Sequence, residues 1–175
     1  MKTNIITDLS YLILAIDEGI AGLQQNPLNY GGQVGCLLVG PDGNIVSRAH
    51  NSYKGGIRTH AEESVLHHAK KADLPDSTLY VTMEPCNGNP YHSRRHCCEQ
   101  IVDAGIGRVV IGGTKWKFEG GLDYMGKNGV RVDLIENDRL ESLCQILIGC
   151  SIKGSTLRDR TIEKIKYMRA GLRIY

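Results

Sequence analysis

Four side chains in this 175-residue sequence have the types and order that hydrolytic metal chemistry uses. They are His60, Glu62 two residues on, Cys86 directly after Pro85, and a second cysteine at Cys97 or Cys98. A neutral imidazole and two thiolates form a three-ligand zinc set and leave the fourth tetrahedral position open for water. Zinc lowers the pKa of such a water to about 7, which yields a hydroxide nucleophile at neutral pH. Glu62 lies too close to His60 along the chain to be a comfortable fourth ligand, yet it can reach that water. It is expected to take the water's proton and return it to a ring nitrogen and a leaving amine. Together these residues suit hydrolytic deamination of an amidine-like ring carbon, with Zn2+ as the cofactor. Simpler readings exist for each part: Thr59 with Glu62 fits a helix capping box, and clustered thiols can be core packing. Their occurrence together is what favours the metal site.

The elements that must position these residues follow from hydrophobic spacing. Leu9, Leu12, Ile13, Ile16, Ile20 and Leu23 fall on one helical stripe, with Thr7 or Asp8 as a cap and Pro27 as the stop. The apolar run 34–39, the turn sequence Pro41-Asp42-Gly43-Asn44 and residues 45–49 predict a β-hairpin. Thereafter strands at 78–83, 108–111 and 130–135 alternate with helices at 60–72, 97–104, 122–128 and 139–148. That pattern predicts an α/β fold of three layers (α-β-α): a five-stranded mixed sheet with helices on both faces, its last three strands parallel. Ligands of such sheets gather at the carboxyl ends of strands, where the His, Glu and Cys residues fall.

On these residues the chain resembles the zinc-dependent cytidine-deaminase-like superfamily. His60-Ala61-Glu62 and Pro85-Cys86 match its H-x-E and P-C motifs residue by residue. The second cysteine departs, with ten residues between Cys86 and Cys97 where that motif has two. A long loop at this point is found in the deaminase domain of the bifunctional riboflavin-biosynthesis deaminase-reductase. The chain is similar to that domain over roughly residues 10–150, through Val34-Gly35-Cys36, Leu79-Tyr80-Val81-Thr82, Glu84-Pro85-Cys86, Ala104-Gly105-Ile106 and Arg108-Val109-Val110. The resemblance implies His60, Cys86 and Cys97 as zinc ligands, Glu62 as proton carrier and a homodimer or larger homo-oligomer. Cys97 is preferred over Cys98 because it keeps Ile101 and Ala104-Gly105 in the family's places; Cys98 would shift the helix by one residue.

The substrate is less well specified. The implied substrate is an aminopyrimidine or cytosine-type small molecule, phosphorylated forms included. The family's Thr-Pro-Pro stretch is absent from the loop before Cys97, and the chain as given holds no reductase domain. Asn51, nine residues before His60, stands where related deaminases place an Asn that contacts base or sugar, so it is the first substrate-contact candidate. His92, Arg94 and Arg95 in the loop are further candidates. The forked donors of the two arginines suit a substrate phosphate, although loop arginines are commonly just solvated.

Composition sets the remaining bounds. The net charge is +2, with 41% hydrophobic and 23% charged residues, which excludes disordered and strongly polybasic classes. No run approaches the roughly 20 apolar residues of a membrane span, and no signal peptide is apparent, so a cytoplasmic location is expected. Residues 1–150 carry a net −3 and residues 151–175 a net +5, which separates a deaminase domain (1–150) from a basic C-terminal helical tail (151–175). That tail is either a nucleic-acid arm or a helix docked through Ile162, Ile165 and Met168. Trp116 and Phe118 are either base-stacking or packing residues. Two other functions therefore stay open: deamination of a base in RNA or single-stranded nucleic acid, and a zinc-stabilised binding subunit without catalysis.

Overall fold

The computed structural model describes residues 5–25, 32–87, 95–114, 121–149 and 155–172. Helix α1 (Ile5–Gln25) starts before the expected cap and carries the predicted stripe, with Leu12 and Ile16 fully buried. Asp8 is therefore an internal helix residue, turned toward the sheet. The hairpin follows as β1 (Gly35–Val39) and β2 (Ile45–His50). β1 is buried at every position because both its faces are covered, which explains its unbroken apolar sequence. Gly35 lets α1 lie directly on it: a Cβ there would come within 1.8 Å of the Ala15 carbonyl oxygen.

A short antiparallel ribbon, β3 (Ser52–Lys54) and β4 (Ile57–Thr59), then leads into α2 (Ala61–His68). Its turn is Gly55-Gly56, both at positive φ, the conformation that two-residue hairpin loops require. The sequence reading had no element here. The helix expected over 60–72 stops at His68, and a single 3-10 turn (Lys71–Asp73) replaces the rest.

β5 (Thr78–Val81), α3 (Cys97–Asp103), β6 (Arg108–Ile111), α4 (Gly121–Lys127), β7 (Arg131–Leu134) and α5 (Asp138–Gly149) complete the alternation. The sheet order is β2-β1-β5-β6-β7. β1 runs antiparallel to both β2 and β5, while β5, β6 and β7 are parallel. The α/β fold with a five-stranded mixed sheet is thus as expected. α2, α3 and α4 pack together along one face, and α1 and α5 cover the other.

The final helix, α6 (Ser155–Ala170), packs on α5 and α1, outside the sheet's second face. Ile162 and Ile165 are buried in the main core, and Arg169 forms an ion pair with Asp17 of α1. A buried ionic cluster ties α1 to the sheet. Arg108 donates to both Asp8 carboxylate oxygens at 2.9 and 2.8 Å and to Asp133 at 2.6 Å, and the Tyr80 hydroxyl donates to Asp8 at 2.8 Å.

Candidate active site

Every backbone segment that carries a motif residue ends at one place, where β1 and β5 meet and the sheet changes from antiparallel to parallel pairing. His60 is the last extended residue before α2, with φ −77° and ψ 155°. It occupies the N-cap position itself and makes no side-chain capping bond, so Thr59 and Glu62 do not form the capping box that their spacing allows. Cys86 leaves the carboxyl end of β5 through Glu84 and Pro85. Cys97 opens α3, whose cap is His96: its side chain receives the Glu99 backbone N–H, and Glu99 accepts the His96 N–H at 3.2 Å.

One donor atom from each of His60, Cys86 and Cys97 lies within 4.8 Å of the other two. The His60 Nδ1 is 3.3 Å from the Cys97 sulfur and 3.6 Å from the Cys86 sulfur. Bonds of about 2.3 Å to sulfur and 2.0 Å to nitrogen in a tetrahedron separate the ligand atoms by roughly 3.5–3.8 Å, so the triad fits zinc closely. The thiols are polarised unequally. Hydrogen bonds from Cys97 and His60 hold the Cys86 thiol well below the usual thiol range, whereas the bond to Cys86, together with burial, pushes Cys97 up. Cys86 is thus ready to ligate as a thiolate, the form a metal requires.

Cys98 faces elsewhere. Its thiol donates to the Pro85 carbonyl at 3.3 Å and approaches the Gly121 carbonyl at 3.8 Å, so it joins the Cys86 loop to the start of α4. Glu84 strengthens the same joint, accepting the backbone N–H groups of Gly121 and Leu122.

Glu62 is 3% exposed and sits on the first turn of α2. Burial pushes its carboxyl up to about 7, against the pull of the neighbouring His60. A carboxyl that titrates near neutrality both accepts and returns a proton readily.

Asn51 is 4% exposed. Its carbonyl accepts the Ala61 N–H at 2.9 Å and its amide donates to the Gly32 carbonyl at 3.1 Å. It therefore locks the start of α2 to the entrance of β1. Arg95 stands at the rim, largely exposed and ion-paired with Asp103. His92 and Arg94 lie outside the described residues, as do Trp116 and Phe118. Sequence reasoning missed Arg58 of β4, which lines the same small cavity as His60, Cys86, Arg95, His96, Cys97 and Gln100. Larger hollows, of about 580 Å³ beside the β1–β2 turn and about 410 Å³ around Asp8 and Arg108, hold none of the metal-ligand groups.

The chain is similar to known proteins over the region that carries the triad. The family model of the cytidine and deoxycytidylate deaminase zinc-binding region matches residues 23–113. The chain is 36% identical over 113 residues to the riboflavin biosynthesis protein RibD of Actinobacillus pleuropneumoniae, covering 62% of this chain and 27% of that protein. It is 30% identical over 119 residues to a tRNA-specific adenosine deaminase of Streptococcus pyogenes, covering 65% of this chain and 60% of the other. Among solved structures, RibD of Acinetobacter baumannii superposes with a TM-score of 0.68 at 26% identity, over 82% of this chain and 38% of that one. The chain thus spans less than two thirds of each of these proteins, and 27% of the riboflavin biosynthesis protein. Its matched region runs from the end of α1 through β6 and contains the whole His60, Cys86 and Cys97 triad. The chain therefore belongs to the zinc-dependent cytidine and deoxycytidylate deaminase family.

Proposed function

We propose that this protein hydrolytically deaminates an aminopyrimidine or cytosine-type small molecule, consuming water and releasing ammonia. The observation that carries the reading is a buried carboxylic acid, Glu62, beside a His-Cys-Cys triad with zinc dimensions. His60, Cys86 and Cys97 would hold the zinc ion, which would supply the Lewis acidity that makes water nucleophilic at neutral pH. Glu62 accepts the first proton that the attacking water loses and delivers it to the ring nitrogen, then takes the second, from the hydroxyl now on the ring carbon, and delivers it to the departing amine. The ring C–N bond to the amino group breaks as the new carbonyl forms, and Glu62 ends in its starting state. Asn51 acts by fixing the entrance of β1 against α2, and Arg95 at the rim meets the rest of the substrate.

Among the related proteins above, the identity is higher with the riboflavin biosynthesis protein than with the tRNA deaminase. This favours a diaminopyrimidine of the riboflavin type. The tRNA-specific relative supports a second reading, in which the substrate is a base in RNA. Against it stands the position of α6: the basic helix lies on the α1–α5 side of the sheet, opposite the cavity formed with α2 and α3.

A substrate panel decides between the readings. Ammonia release from a ribosylated diaminopyrimidine or from cytosine nucleotides is the expected result. Activity confined to adenosine within RNA would support the second reading, and release from no member of the panel would overturn both.

A further inference from the structure

Cys86 sits on irregular chain: β5 ends at Val81, and the ligand follows Glu84 and Pro85. Pro85 has no N–H, so the residue just before the ligand cannot be tied down by its own amide. Its surroundings hold it instead. On one side stands α3. The Cys98 N–H donates to the Cys86 carbonyl at 3.3 Å, the Cys98 thiol to the Pro85 carbonyl at 3.3 Å, and the Cys97 N–H to the Cys86 sulfur at 3.5 Å. On the other side stands α4, held by Glu84. The Glu84 N–H donates to the Gly113 carbonyl at 3.0 Å, and its carboxylate accepts the N–H groups of Gly121 and Leu122. Those two groups open α4, where backbone N–H groups have no acceptor within their own helix. The contact is close: a Cβ on Gly121 would lie 2.8 Å from the Pro85 carbonyl oxygen and 3.1 Å from both the Cys98 sulfur and a Glu84 carboxylate oxygen. Glu84 thus holds the first residue of α4 against the peptide bond that leads into Cys86.

We propose that Glu84 is a positioning residue for metal capture. By clamping α4 to Pro85 it fixes the direction in which Cys86 presents its sulfur toward His60 and Cys97, and so sets how tightly the triad holds zinc. A charged acceptor makes a stronger clamp than a neutral one. Without the clamp, binding the metal must also order the turn at Pro85, which lowers affinity. Glu84 has this role only if His60, Cys86 and Cys97 hold the metal, whatever the substrate.

The test reads the zinc Kd by competition with a chromophoric chelator, on full-length wild type, Glu84→Ala and Glu84→Gln, beside thermal melts of the metal-free proteins. Glu84→Ala is expected to weaken zinc binding about 10–100-fold, the usual effect of removing a group that orients a metal ligand. Its metal-free form should melt within about 5 °C of the wild type, since one lost helix cap costs the fold little. Glu84→Gln keeps one acceptor oxygen on the same stem and should recover most of the affinity. Loaded with Co2+, the alanine variant should also show weaker or shifted thiolate-to-cobalt absorption, the signature of a misdirected Cys86 sulfur. A zinc Kd and cobalt spectrum untouched by Glu84→Ala would overturn the proposal. A merely structural Glu84 gives that result, with Tm lowered and Kd constant. If Glu84→Ala does not fold, Gly121→Ala decides, because its Cβ wedges against Pro85 while Glu84 stays. Weaker zinc binding in that variant is the expected result, and an unchanged Kd would overturn the proposal. A wild type that binds no zinc overturns the metal centre itself, an outcome distinct from one in which zinc binds equally well with and without Glu84.

Discussion

Cys97 and Cys98 are chemically identical neighbours, and the register of one short helix gives them different tasks. Cys97, at the first position of α3, turns its sulfur to His60 and Cys86, while Cys98 turns to the Pro85 carbonyl. Replacing each by serine separates the two tasks. Cys97→Ser should lose zinc readily to a competing chelator, because a hydroxyl is a poor substitute for a thiolate ligand. Cys98→Ser should keep close to one zinc per chain, since a hydroxyl can still donate to Pro85. Equal metal loss in both, measured by elemental analysis after chelator challenge, would contradict the assignment. The residue types were legible in the sequence, and the preference for Cys97 came from laying the helix that follows it on the pattern of the family the chain resembles. What the sequence could not supply was Arg58. Beside His60 and Glu63, its partner Gly32 and its cavity neighbours Cys86, Arg95 and Cys97 are 26 or more positions away, brought close only by the fold.

At the scale of elements, the ionic cluster of Asp8, Arg108 and Asp133 holds α1 against the parallel strands. Burial raises the Asp8 carboxyl, but the bonds from Arg108 and Tyr80 and the guanidinium charge outweigh it and hold the group below its ordinary 3.8. A depressed carboxyl stabilises the fold at pH values above that ordinary value and loses the contribution as pH falls through the folded-state value. Asp8→Asn should therefore cost about 3 kcal/mol near neutrality, because a mostly buried arginine loses one of its two carboxylates. The gap from wild type should shrink in acid below about pH 3.8, as urea titrations across pH can measure. A gap that widens in acid would refute this account. The long elements were legible because their periodicity is strong: the stripe of α1 and the apolar runs of β1, β5 and β6. The β3–β4 ribbon was not, since three-residue strands are too short to show alternation, and only the Gly55-Gly56 turn marks them. The end of α2 was misjudged because Ala69 to Ala72 read as helix formers, while the chain turns extended at Ala69 and tightens into a 3-10 turn.

Across the whole molecule, the sheet separates two roles. The α2–α3 side carries the triad, and the α1–α5 side carries the basic helix α6. Ending the chain before Ser155 removes the buried Ile162 and Ile165, worth about 3 kcal/mol or more together. Tm should fall by about 5–10 °C while zinc content stays unchanged, a result a thermal melt and elemental analysis can check together. Zinc lost with α6 would mean that the two sides are not separable in this way. The most direct test of the central claim pairs zinc content with ammonia release for the wild type and Glu62→Gln. The account predicts about one zinc per chain in both proteins, with turnover reduced 100-fold or more in the variant because the proton carrier is gone. Zinc absent from the wild type, or turnover indifferent to Glu62→Gln, would contradict it.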